Sequence, residues 1–442
     1  SRLPWPDSLQ EIVTRNGRRG HKVLIVDNVV SDIKLYIDDK TGLISEMRFM
    51  ECNPLVRDTE ITIEYANWDL DADGLLFPEH IAVYTDLGMI WTETRSSVQA
   101  NMLDELDPSF FDLPEGTDPD SFNPTGYAFG LQSMHNQECW ILIGLPYLNS
   151  ARLFFDPIEI FPDAYFLVSW ANTAVIGYSE GVIVLEAPGS ELHGTYLVPL
   201  IQDLFPGKPI THIVQSHHHV DHAASVRELV AAGATLVVAE EFEYFWEDVL
   251  TADSEVRPDS LWLLQQQNND DFEIEAVYDR DRLVLVEEDN LVVTVYHTDL
   301  DPHAEDNIIT TIEVNGVMYL YEADLFNIDF GFTVVDDGPP ALFDTLRYTG
   351  IIDENCKSDV PLFFLPAHGN IKSLEDSIVE LAGQEAIFGS GYETGCPNPG
   401  QLLDETIEAI GGADALMGLE GFEIEAAGGG WVMFESEDPY EL

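Results

Sequence analysis

Basic residues are scarce in this chain. Lys and Arg together number 19 against 81 Asp and Glu, a formal net charge of −62 over 442 residues. A surface of that sign repels polyanions, so nucleic acid and anionic membrane faces are excluded as partners. Long apolar runs are also missing: no stretch reaches the roughly 18 residues that a membrane-spanning helix needs. Cysteine is limited to Cys52, Cys139, Cys356 and Cys396. No two of them form a Cys-x-x-Cys pair, which excludes a zinc knuckle or a dithiol redox motif. No Gly-x-Ser-x-Gly elbow occurs, so a serine nucleophile of that kind is not indicated. The chain opens at Ser1 without a recognisable signal peptide and is compatible with a mature, exported form.

What is present is enough apolar residue, 45%, for more than one core, and the length calls for two or three domains. Residues 1–113 read as antiparallel β. Apolar and polar residues alternate over 33–38, 44–50, 60–65, 80–85 and 89–94, with a turn at Asp39-Lys40-Thr41-Gly42 and breaks at Asn53-Pro54 and Phe77-Pro78. A linker-like stretch, Pro114-Glu115-Gly116-Thr117-Asp118-Pro119-Asp120, follows. From about residue 155 strands and helices alternate. Strands are expected over 165–170, 174–178, 182–186, 212–216, 236–239, 308–313, 317–321 and 361–365, with two more within 283–296. Helices are expected over 197–205 and 223–232.

One cluster stands out. Gln215-Ser216-His217-His218-His219-Val220-Asp221-His222 places four histidines and an aspartate in six consecutive residues behind a short apolar run. Imidazole and carboxylate at such density suit zinc or another borderline first-row metal. Further on, a loop holding His303 precedes a strand that begins at Ile308, Asp324 follows an apolar strand, and Pro366-Ala367-His368-Gly369 closes the last one. Read as His-x-His-x-Asp-His with these later residues in order, the chain resembles the metallo-β-lactamase fold superfamily. Leu75-Leu76-Phe77-Pro78 and the run Ala409-Ile410-Gly411-Gly412-Ala413-Asp414-Ala415-Leu416 resemble pieces of secreted members that carry an N-terminal β domain.

The resemblance implies an α/β fold, the αββα metallo-β-lactamase sandwich, over residues 155–395. An antiparallel β domain over 1–113, a connecting segment over 114–154 and a helix-plus-hairpin tail over 396–442 that joins the N-terminal sheet complete the expectation. It also implies a ligand set: His217, His219 and His303 for one metal, Asp221, His222 and His368 for a second, and Asp324 bridging. His297, at a strand end, competes with His303, which is preferred. His218 is expected behind the ligands and not among them. The cofactor implied is a pair of divalent ions, zinc foremost. The activity implied is hydrolysis of an ester, lactone, lactam or related bond of a small molecule by a metal-bridging hydroxide, with Asp221 also moving a proton. His219 is intact, whereas the flavin-linked di-iron oxidoreductases of the superfamily replace that histidine with an acid. The long interval between His222 and His303 contains residues 242–272, rich in aromatics and acids and expected as a lid or wall of the substrate pocket. A secreted or periplasmic location is expected, and an exported chain allows Cys356 to pair with Cys396. The alternative function is a structural subunit, a strand-exchanged oligomer or filament built through the tail around a retained hydrolase domain.

The acids are spread along the chain, which suits a salty setting where counterions screen their mutual repulsion over a Debye length of about 10 Å at 0.1 M. The thermal midpoint at neutral pH is therefore expected to rise as NaCl goes from low to molar concentration. A flat or falling midpoint in a calorimetric salt series would contradict the salt-adapted reading.

Overall fold

The computed structural model describes residues 21–26, 32–53, 55–72, 74–85, 88–98, 155–169, 171–189, 191–267, 272–278, 281–298, 303–326 and 338–388. The chain divides into two compact units. The first contains β1 (His21–Val26), β2 (Ile33–Asp38), β3 (Ile44–Asn53), β4 (Arg57–Ala66), the short hairpin of β5 (Leu70–Ala72) and β6 (Leu75–Phe77), β7 (His80–Thr85) and β8 (Gly88–Thr94). Its main sheet is antiparallel with order β1-β2-β3-β4-β7-β8. The turn between β2 and β3 is held by Asp38, whose Oδ1 accepts from Lys40 N at 2.9 Å and Thr41 N at 2.8 Å. Gly42 there takes φ +73°, a region that favours glycine.

Residues Ala252–Pro258, distant in sequence, belong to this same unit. Arg57, 2% exposed, donates from Nε to Ser254 Oγ at 3.1 Å and from Nη2 to Arg257 O at 3.1 Å. Asp58 accepts from Glu255 N at 2.7 Å and from Val256 N at 3.0 Å.

The second unit is built on two sheets. One runs β9 (Asp156–Phe161), β10 (Ala164–Val168), β11 (Thr173–Gly177), β12 (Val182–Leu185), β13 (Ile210–Val214), β14 (Thr235–Ala239) and β15 (Ile274–Val277), hydrogen-bonded in that order. The other runs β16 (Arg282–Glu288), β17 (Leu291–His297), β18 (Ile308–Val314), β19 (Val317–Glu322), β20 (Leu362–Pro366) and β21 (Lys372–Ser373). Phe166, Ile176, Ile183, Val214 and Val237 of the first meet Val293, Val295, Ile312, Tyr321 and Leu365 of the second in one core. Helix Glu191–Leu204 buries Leu197 and Ile201. Helix Gly338–Tyr348 buries Leu342, Phe343 and Leu346 in a cluster with Leu320 and Phe364. Every residue of β11 and β12 is buried, which is why these strands read as continuous apolar runs and not as alternating ones. Strands β12 to β15 are mutually parallel, as are β19 and β20. Their carboxyl ends open into the loops that carry chemistry, the usual place for a site in such sheets. The arrangement is the αββα sandwich. Among the described residues no helix is long and apolar enough to cross a membrane.

Several details differ from the sequence reading. β1, β9 and β15 were not expected. The single helix expected over 223–232 is two, Val220–Ala223 and Val226–Ala231. The break falls where Ser225 N donates to Ala187 O at 3.0 Å, a bond to a distant loop that replaces the intrahelical one. Within the stretch 242–272, Phe242, Phe245, Trp246, Val249 and Leu250 are buried, while Tyr244 and Leu263 are exposed. Cys52 is buried and Cys356 is disulfide-bonded. Cys396, its expected partner, lies outside the described residues, as do the linker at 114–120 and the tail over 396–442 with its expected sheet pairing.

Arg57→Met keeps the side-chain bulk but removes the hydrogen bonds to Ser254 and Arg257. It is expected to destabilise the first unit by on the order of 3 kcal/mol and to speed protease cleavage within 252–258. Parental stability in urea melts with an unchanged cleavage rate would show that the clasp is dispensable.

Candidate metal centre

Local backbone geometry explains how four of six consecutive residues, His217, His219, Asp221 and His222, serve one point. His217 and His219 lie on the extended stretch after β13, so alternate side chains share a side. His219 then caps a helical turn, with φ −60° and ψ 140°. His222 N and Ala223 N donate to His219 O at 3.1 and 3.0 Å, and that turn brings Asp221 and His222 round beside the first pair. Asp324 sits just past β19 in the left-handed region, φ 62°, which a short polar side chain tolerates. His368 follows β20, where Ala367 N donates to Glu322 O at 2.8 Å, and Gly369 takes φ 124°.

The side chains converge on Asp324. One group, His217, His219, His303 and Asp324, has its ligand atoms within 4.8 Å of one another; so does a second, Asp221, His222, Asp324 and His368. Asp324 Oδ2 lies 3.0 Å from His222 Nε2, 3.2 Å from His303 Nε2 and 4.0 Å from His217 Nε2, and Oδ1 lies 3.4 Å from His368 Nε2. Asp221 Oδ2 is 3.3 Å from His222 Nε2 and 3.8 Å from His368 Nε2. His297 is elsewhere, with Nε2 3.3 Å from Glu241 Oε2. His218 is also outside both groups; its ring stacks on Phe242 at 5.5 Å and its Nδ1 is 2.8 Å from Asp306 Oδ1.

Electrostatics prepares these groups for a cation. Burial pushes the imidazoles of His217 and His219 well below their ordinary range, so both offer neutral lone pairs. Burial opposes ionisation of Asp221 and Asp324, but His222 beside them prevails and holds both carboxyls low. His222 is raised in return: burial alone would lower it, and Asp221 and Asp324 outweigh that. A divalent ion competes for the same nitrogen, so binding is expected to release protons. The residues fit such an ion. His217 Nε2 and Asp221 Oδ1 are buried at the nest and make no hydrogen bond, an arrangement that leaves polar atoms costly without a ligand. Nitrogen and oxygen donors in this ratio suit a divalent metal.

Sequence reasoning assigned no role to several residues around the nest. Glu186, wholly buried and at φ 84°, has Oε2 3.7 Å from His222 Nδ1. Its other oxygen accepts from Gln215 Nε2. Tyr321 OH donates to Asn172 O at 2.6 Å and lies 3.4 Å from Glu186 Oε2; burial raises this phenol well above its usual value. Glu322 is likewise pushed up by burial, with Phe326 N donating to Oε2 at 3.1 Å.

Residues 171–320 match the family model described as the metallo-beta-lactamase superfamily. Solved structures similar to the chain include the DIM-1 metallo-beta-lactamase, at 14% identity over 51% of this chain and 95% of that one with TM-score 0.34. A metallo beta lactamase from Hirschia baltica has 11% identity over 51% and 96% with TM-score 0.36. TMB-1 has 16% identity over 51% and 95% with TM-score 0.35. No curated protein matches the chain.

His303→Ala is expected to lower metal content, and His297→Ala to leave it near the parental value. Elemental analysis of the two variants checks this; the reverse order would remove His303 from the nest's function.

Proposed function

Because residues 171–320 form a metallo-β-lactamase superfamily domain, we propose that the chain is a metal-dependent hydrolase acting on an ester, lactone, lactam or related bond of a small molecule. The observation that carries this reading is the pair of buried His/Asp groups that share Asp324. In this reading His217, His219, His303 and Asp324 would hold one divalent ion, and Asp221, His222, His368 and Asp324 would hold another. Zinc is the proposed metal, since it takes imidazole and carboxylate donors of this kind.

Paired divalent ions supply Lewis acidity and make water a nucleophile near neutral pH. The chain's own role is positional and protonic. Neutral His217 and His219 present their lone pairs without first losing a proton. Asp324, fixed between His222, His303 and His368, sets the separation of the two groups. Asp221 has one oxygen facing His222 and His368, while Oδ1 makes no hydrogen bond; that oxygen is the acceptor we assign to the proton moved during bond cleavage. The net charge of −62 favours neutral or cationic substrates over polyanions.

The test is a panel of lactones, esters, β-lactams, sulfate esters and phosphodiesters, run on zinc-loaded protein with and without chelator. At least one class is expected to turn over, with activity lost on chelation and restored by zinc. Asp221→Ala is expected to cut that turnover by about 10²–10⁴-fold. Turnover that survives complete removal of metal, or full activity in Asp221→Ala, would overturn the proposal.

A further inference from the structure

We infer that Asp306, which is not itself a candidate ligand, is a positioning residue that acts through His218 to hold the ligand-bearing loops in register. This rests on the metal reading above and adds to it a residue outside the ligand set. Four loops carry the nest: 215–222 after β13, 303–307 before β18, 323–324 after β19 and 367–369 after β20. Residues 306–308 reach two of the others. Asp306 Oδ1 is 2.8 Å from His218 Nδ1. Ile308 N donates to Ser216 O at 2.9 Å. Asn307 Nδ2 donates to Ala323 O at 2.9 Å. His218, Asp306 and Asn307 are 2%, 1% and 0% exposed.

The leverage lies in where His218 sits. It separates His217 from His219, so whatever fixes its ring also fixes the backbone that aims both neighbours. Phe242 stacks on that ring with an interplanar angle of 5°, and Phe245 meets it edge-on at 5.8 Å. Those contacts set the plane, and the bond to Asp306 sets rotation within it. A carboxylate retained for stability alone would have both oxygens served. Asp306 Oδ2 is instead buried with no hydrogen bond, a net cost to folding. Metal sites need their ligands within about 0.5 Å of the binding geometry, and a clip between loops supplies that before any ion arrives.

The experiment uses the full chain. Zinc affinity is measured by competition with a chromophoric chelator, cobalt(II) absorption reports coordination geometry, and the metal-free melting point reports the fold. Asp306→Ala is expected to weaken zinc binding by about 10–100-fold and to alter the cobalt bands, with the metal-free melting point near the parent's. Asp306→Asn keeps an oxygen that accepts from Nδ1–H and is expected to restore most of the affinity. His218→Phe keeps the stacking, loses the bond and should match Asp306→Ala; the double variant should be no worse than either single one. If Asp306→Ala does not fold, the His218→Phe and Asp306→Asn affinities decide. Parental affinity in Asp306→Ala or His218→Phe, additive losses, or a melting point that falls in step with affinity without rescue by Asn would overturn the inference. A parent that binds zinc yet hydrolyses nothing removes the hydrolase reading and leaves this one standing; a parent that binds no zinc removes both.

Discussion

Burying carboxylates is the constraint on which the second unit depends. Asp221 and Asp324 are each 4% exposed, and ions taken out of water cost several kcal/mol apiece unless their surroundings compensate. Compensation comes from imidazole nitrogens on separate loops, with His222 and His303 within 3.2 Å of one oxygen of Asp324. Those loops leave different strands of two sheets, so the compensation exists only if both sheets are fixed against each other. The core that joins them is made of wholly buried side chains such as Ile176, Ile183, Val293 and Ile312. A one-residue slip in any of these strands would turn its core residues outward and swing the loop at its end away. Tight apolar packing and the polar nest are thus two ends of one requirement.

Charge divides accordingly between outside and inside. The exterior carries a large surplus of acid, and the surplus is tolerable because water and salt screen it. The nest has no such screening, and its acids are matched by imidazoles: two carboxylates face five histidines. At Glu322 burial prevails over the opposing pull of the Phe326 N–H and of His222, and the carboxyl is pushed well above its usual range.

How much of this could be read from the chain follows from the range of each interaction. The group at 217, 219, 221 and 222 is legible because one strand end and one helical turn suffice to bring its side chains together. His303, Asp324 and His368 are legible through the strands beside them, whose apolar runs match β18, β19 and β20 closely. Glu186 and Asp306 are not, because what distinguishes them from the other acids is burial beside His222 and His218, set by the tertiary fold. The split at Ser225 was hidden for the same reason: its N–H is taken by Ala187, far off in sequence. β1, His-Lys-Val-Leu-Ile-Val, lacks the alternation that marks its neighbours, although Gly20 precedes it and Asp27-Asn28 follow it.

The membership of residues 252–258 in the first unit bears on how the chain can be divided. A cut near residue 150 does not yield self-sufficient pieces. The C-terminal piece would keep Ser254, Glu255 and Val256 without Asp58 or Arg57, and the N-terminal piece would keep a buried guanidinium stripped of Ser254 Oγ and Arg257 O. Each half would thus carry a wound that the other fills, so shuffling of one unit onto a different neighbour by a single recombination event is disfavoured. The first unit is thus discontinuous in sequence, with 252–258 set between Thr251 and Asp259 of the second.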